Sequence, residues 1–189
     1  MRLRYERTRY MKKVFDEIPY LETDRLILRK MDERDAAALG SMARDESVYR
    51  YLPAFLTELQ YDDPLETIRQ FYGKCFTEKE SVFLGIFRRE GAFCGMAELY
   101  GCRDEYRKIS LGYRLIPAAW GQGIATEAVL RVIEYLYHET DTGIITASVI
   151  TENHASANVL RKTGFQMTAA AVPEDWGFPE QRIVDKWFR

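Results

Sequence analysis

LGYRLIPAAWGQGIATEA, residues 111–128, changes its periodicity halfway along and so decides how the chain folds. Ile109, Leu111, Tyr113 and Leu115 alternate with Ser110, Gly112, Arg114 and Ile116, the period of two that belongs to a β-strand. Pro117 cannot donate to a ladder and closes the strand. Gly121 and Gly123 bracket Gln122, and from Ile124 the spacing turns helical. Ala125, Ala128, Val129, Val132, Ile133 and Leu136 share one face, with Glu127, Arg131, Glu134 and His138 largely off it. Strand, glycine loop and helix in succession aim unpaired backbone N–H groups at one point, where the helix dipole adds partial positive charge. Such a point attracts phosphate, and glycine lets phosphate approach the backbone closely.

Of two phosphate loops, one fails on this text and the other fits it weakly. A Walker loop ends in Gly-Lys-Ser/Thr, whereas Gly123-Ile124-Ala125 stands here. A dinucleotide fingerprint needs glycine or alanine three residues after its second glycine, and that position is Thr126. An ordinary strand-to-helix turn also uses glycine for backbone freedom, so the rest of the chain must decide.

The 189 residues suffice for one well-cored domain and are cramped for two. Formal charge is −2 and the pI is near 5.8, which favours neither nucleic acid nor a membrane surface. No apolar run approaches the roughly 18 residues of a membrane span, and the charged N-terminus lacks a signal peptide's apolar core. Cys75, Cys94 and Cys102 are odd in number and form no CxxC, which points to free thiols and a cytoplasmic setting. With only His138 and His154 and no carboxylate–histidine spacing, no metal site is expected.

Residues 1–19 read as a peripheral segment of mixed charge and residues 20–189 as the domain. Residues 22–29 read as a first strand, and Asp32 caps a helix through Ala36, Leu39 and Met42. An acidic, aromatic loop follows at 45–63, then a helix from Pro64 through Phe76. Strands at 82–88, 92–102 and 108–116 form an antiparallel meander leading into the glycine loop. IITASVI, residues 144–150, is a buried strand, and the βαβ rule makes it parallel to the strand at 109–116. A helix from Asn153 to Lys162 stops at Gly164, and strands at 165–172 and 182–188 close the chain.

Three pieces of text carry a resemblance: ETDRLILR at 22–29, PAAWGQGIATEA at 117–128, and Asn153-x-x-Ser156 followed by VLRKTGF at 159–165. Their order and spacing resemble the GNAT superfamily of N-acetyltransferases, in the branch that acetylates ribosomal-protein N-termini (RimJ/RimL-like), over residues 20–189. Trp120 departs from the glutamine or arginine most common there, although tryptophan is frequent in this branch. The resemblance implies an α+β fold: a mostly antiparallel sheet with helices on both faces, whose central parallel βαβ pair splays to admit acetyl-CoA. It implies acetyl-CoA as co-substrate, no metal, an amine acceptor, and a monomer or homodimer.

On that resemblance Tyr113, Leu115 and Ile116 supply the edge for the pantetheine arm, and Gly121, Gln122, Gly123, Ile124, Ala125 and Thr126 the pyrophosphate contacts. Asn153 holds the arm from the other side, and Ser156 donates to the departing thiolate in place of a tyrosine that many members carry where Leu160 stands. A backbone N–H near Leu115–Ile116 meets the developing oxyanion. Glu98 is the candidate base, with Tyr100 and Glu105 behind it, because Ser148 occupies a position where some relatives have glutamate. By itself Glu98 on a strand more often faces solvent, Asn153 also suits a helix N-cap, and Trp120 reads as a packing residue. The acceptor is a protein α-amine or, as the alternative, a small amine such as a polyamine or antibiotic; a non-catalytic acetyl-CoA sensor is the reading outside enzymology.

Overall fold

The computed structural model describes residues 11–189. Eight strands form one sheet: β1 (Leu21–Glu22), β2 (Leu26–Arg29), β3 (Ser81–Arg88), β4 (Phe93–Arg103), β5 (Lys108–Leu115), β6 (Ile144–Ile150), β7 (Gln166–Glu174) and β8 (Arg182–Phe188), in the order β1-β2-β3-β4-β5-β6-β8-β7. Every neighbouring pair is antiparallel except β5 and β6, which run parallel, as the crossover between them dictates. The helices are α1 (Ala36–Ala43), α2 (Glu46–Tyr49), α3 (Pro64–Gln70), α4 (Ile124–Glu139) and α5 (His154–Lys162).

Apolar periodicity sorts the helices onto two faces. The α4 stripe of Ile124, Ala128, Val129, Val132, Ile133 and Leu136 joins Ala157 and Leu160 of α5 over Leu26, Leu84, Ile109, Leu111 and Ile145. On the opposite face Leu39 and Met42 of α1 and Ile68 of α3 pack with Phe71, Phe83, Phe87 and Met96. Each side chain of this size buried from water stabilises by roughly 1.5–3 kcal/mol, so the two layers hold the sheet between them. Asp32 starts the first helical segment through a reciprocal cap: its carboxylate accepts from the Arg34 N–H, and Asp35 accepts from the Asp32 N–H.

Several boundaries differ from the sequence reading. The expected strand over 22–29 is a two-strand hairpin, because the Thr23 hydroxyl accepts from the N–H groups of Arg25 and Leu26 and turns the chain there. The loop at 45–63 carries α2, capped by Asp45, and a 3-10 turn at Thr57–Leu59. The helix from Pro64 widens into a π turn at Phe71–Cys75. Of the segment 1–19, residues 1–10 lie outside the described residues; beyond them Val14 is buried in the core, and Lys12 bridges to Thr140 at the end of α4.

Candidate functional site

The parallel pair β5/β6 stays registered only from Lys108↔Ile144 to Ser110↔Thr146, although both strands continue. Beyond that point they part, and backbone groups alternate in direction along each strand. On β5 the Ile116 N–H donates to the Cys94 carbonyl across the β4 side at 3.0 Å. Gly112 and Arg114 therefore also face β4, whereas Tyr113 and Leu115 face the opening. On β6 the Ile145 N–H pairs with the Arg189 carbonyl and the Thr151 N–H with the Ile183 carbonyl, which leaves Ser148 facing the opening. Both strands end capped: the Leu115 carbonyl accepts from the Trp120 indole at 2.8 Å, and the Ile150 carbonyl accepts from the Asn153 N–H at 2.8 Å. The Tyr113 N–H and C=O, the Leu115 N–H and the Ser148 pair remain for an extended, amide-bearing guest. Ile116, expected on the cofactor edge and near the oxyanion, has its N–H committed to β4 and cannot offer it to either.

The opening widens into a cavity of about 1200 Å³ that passes through the sheet and is lined from both faces. At its glycine-loop end Gly121 and Gly123 hold φ of 70° and 76°, the left-handed region that a residue with a Cβ enters only at a cost. Gly121, Gly123, Ile124, Ala125 and Thr126 all line the cavity. Gln122 turns away: its amide bonds the Ala118 carbonyl at 2.6 Å and the Arg88 guanidinium, so its side chain does not line the cavity. Trp120 is not a packing residue either. It is 49% exposed at the cavity edge, tethered by its indole N–H.

The hydroxyl pair lies on the α4/α5 face. Asn153 caps α5 by accepting from the Ser156 N–H at 3.1 Å and also lines the cavity, so capping does not remove it from the site. Across the gap the Ser156 and Tyr113 hydroxyls are 3.0 Å apart. Burial pushes the Tyr113 phenol up to about 12, against the opposing hydrogen bond with Ser156, and so keeps it protonated at neutral pH. The side-chain partnership of Tyr113 with Ser156 depends on how closely α5 approaches β5, which spacing along the chain does not reveal.

The cavity wall on the other face of the sheet carries the charge. Glu98 is not turned to solvent: it lines the cavity, accepts from the Ser81 hydroxyl at 2.9 Å and from Arg114 at 3.0 Å. Arg114 also donates to Glu58 at 2.8 Å, and both of those side chains are almost wholly buried, at 3% and 0% exposed. Two carboxylates thus share one guanidinium, leaving a formal charge of −1 in a dry setting. Burial raises the Glu98 proton affinity; Arg114 opposes that and Glu58 reinforces it, and with one cation between two acids the upward direction prevails. Tyr100 lines the same wall, pushed up to about 12 by burial and then by Glu98 and Glu174, whereas Glu105 is exposed away from it. Glu174 enters from β7, engaged by the Trp176 indole and by Lys186, which also donates to the Ser148 hydroxyl at 3.0 Å. Neither Glu58 nor Glu174 stands out in the sequence, since each is brought in by tertiary pairing alone.

Above this wall the loops at 50–56 and 174–178 meet, with the Ala54 N–H donating to the Trp176 carbonyl at 2.8 Å. Among the described residues no group of three or more His, Cys, Asp or Glu could hold a metal ion. The site therefore combines a glycine loop for phosphate, a free amide edge for an extended arm, hydroxyl donors on one face and carboxylates on the other. That set of groups fits a coenzyme A thioester. It can polarise a carbonyl, protonate a leaving group and deprotonate an amine.

Comparisons with known proteins agree with this chemistry. The acetyltransferase (GNAT) domain model matches residues 25–166. The uncharacterized N-acetyltransferase YoaA of Bacillus subtilis (strain 168) is 32% identical over 149 residues, covering 78% of this chain and 83% of that protein. The fold is shared with RimL, a ribosomal L7/L12 α-N-protein acetyltransferase solved with coenzyme A (TM-score 0.74, 17% identity, 90% and 97% of the two chains). It is shared equally with spermidine N-acetyltransferase from Vibrio cholerae in complex with CoA and spermine (TM-score 0.73, 17% identity, 88% and 96%). This chain belongs to the GNAT family and is an N-acetyltransferase.

Proposed function

We propose that the protein moves the acetyl group of acetyl-CoA directly onto a primary amine, with a protein N-terminal α-amine as the first acceptor class. One observation carries this: a single passage through the sheet joins a phosphate loop and two hydroxyls to a buried, net-negative carboxylate cluster. The loop from Gly121 to Thr126 would hold the phosphates, and Tyr113, Leu115 and Asn153 the pantetheine arm. The thioester supplies an activated acetyl group. The Tyr113 N–H, at the end of that arm away from the glycine loop, would meet the carbonyl oxygen as charge develops on it, which leaves the Leu115 N–H and the Tyr113 C=O to the amides. Glu98 would take a proton from the acceptor ammonium, since only the free amine is a nucleophile. Ser156, backed by Tyr113, would donate to the departing thiolate. The catalytic domain is taken as residues 20–189, in a cytoplasmic enzyme whose three thiols are free.

The contact between the loops at 50–56 and 174–178 favours a slender acceptor, so a small polyamine stands as the second reading. Acetyl-CoA turnover over a panel of N-terminal peptides, polyamines and aminoglycosides tests both. Peptide turnover with small amines inert would support the first reading, and the reverse the second. Tight acetyl-CoA binding with no amine-dependent CoA release across the panel would leave a sensor and overturn the catalytic proposal.

A further inference from the structure

The hairpin turn at Thr23–Leu26 stands 97 residues before the glycine loop, yet it reaches that loop from behind. The Arg25 Nη1 donates to the Gln122 carbonyl at 3.0 Å, and its Nε donates to Glu127 at 2.6 Å. Glu127 lies in the first turn of α4 and accepts from the Thr23 hydroxyl as well, at 2.5 Å. A trans peptide points its C=O and the next N–H in opposite directions. Pulling the Gln122 carbonyl toward Arg25, outside the cavity, therefore turns the Gly123 N–H inward. Gly121 and Gly123 line the cavity, whereas Gln122 and Arg25 do not. Arg88 fixes the Gln122 side chain on the same outer side.

Glu127 would otherwise be out of place. A carboxylate in the first turn of a phosphate-binding helix repels the very charge the helix attracts. Its hydrogen bonds from Thr23 and Arg25 outweigh burial and hold it below the usual carboxylate range, so it is ionised. Its use is to aim and neutralise Arg25. We infer that Arg25, held by Glu127 and Thr23, is a positioning residue that orients the 122–123 peptide so that the Gly123 N–H meets the coenzyme A pyrophosphate.

This rests on the acetyl-CoA reading, and direct binding separates the two. Calorimetry on the intact protein should compare CoA with pantetheine, which lacks the phosphates. Arg25→Met should weaken CoA about tenfold, the worth of one hydrogen bond to a charged group, while pantetheine changes less than about twofold. Glu127→Gln gives a sign test. If Glu127 acted only through its own charge, removing it would tighten CoA; as the holder of Arg25, its loss should weaken CoA by about threefold. Equal losses for both ligands in Arg25→Met, or tighter CoA in Glu127→Gln, would overturn the inference. Should Arg25→Met fail to fold, the Glu127→Gln sign decides alone. A wild-type protein that binds no CoA would instead overturn the acetyl-CoA reading beneath it.

Discussion

Ser156 and Tyr113 share a hydrogen bond, and the contributions proposed for them at the departing thiolate can be separated. A donor that strengthens only as negative charge grows acts on the transition state, so Ser156→Ala should lower kcat with little change in acetyl-CoA affinity. One such bond is worth roughly 1.5–3 kcal/mol, or about ten- to a hundredfold in rate. Tyr113→Phe should lose part of this and add little in the double variant, because both act through one donor. Asn153→Ala should instead raise the KM for acetyl-CoA. Initial rates at saturating amine, with thermal melts alongside, check all four; an undiminished kcat in Ser156→Ala removes it from the chemistry. Glu98 adds a pH dependence. Its folded proton affinity exceeds the ordinary carboxylate value of 4.5, and only its ionised form can act as base, so kcat/KM should rise with pH through a midpoint above that value. For stability the sign is opposite: a raised folded pKa contributes fully below the unfolded value and is lost as pH climbs through the folded one. Glu98→Gln should therefore abolish turnover while holding or raising Tm at neutral pH. The sequence named Glu98 as a residue type on a strand. It could not supply Glu58 or Arg114 as partners, since electrostatic environment is a property of packing.

At the scale of elements, period and punctuation were legible wherever burial is one-sided. The α4 stripe and the alternation of β5 followed from apolar spacing, the parallel pairing of β5 with β6 from the βαβ connection, and all three appear as expected. What spacing missed are places where a polar side chain competes with the ladder. Thr23 breaks the expected strand at 22–29, and, from a different cause, β4 carries a bulge between the Ile86↔Gly95 and Phe87↔Phe93 pairs. Gly95 sits there at φ 146°, and a Cβ on it would lie 2.1 Å from the Arg114 carbonyl. Gly95→Ala should therefore destabilise the protein and disturb the opening together, read as a lower Tm with weaker CoA binding. Gly123→Val should differ in kind. Backbone strain at a positive φ costs on the order of 1–3 kcal/mol, which a fold of this core tolerates, whereas the lost close approach should remove most CoA affinity. Unchanged calorimetric affinity in folded Gly123→Val would exclude the loop from the site.

Across the whole molecule, the Glu58–Arg114–Glu98 cluster ties the 3-10 turn at Thr57–Leu59 to the centre of the sheet over 56 residues of chain. Removing its only cation is the severe change: Arg114→Leu leaves two buried carboxylates facing each other, at a cost of about 3–5 kcal/mol. Urea denaturation at pH 7 should register that loss, and it should shrink at low pH as Glu98 takes up a proton. The passage through the sheet has a kinetic consequence as well. Under the proposed roles the donor would enter on the α4/α5 side and the acceptor on the side of the 50–56 loop, so neither would need the other's doorway. The three cysteines do not line the cavity, so no thiol there can carry the acetyl group between half-reactions. Double-reciprocal plots should then intersect instead of running parallel, and product inhibition should show that CoA and the acetylated amine can depart in either order.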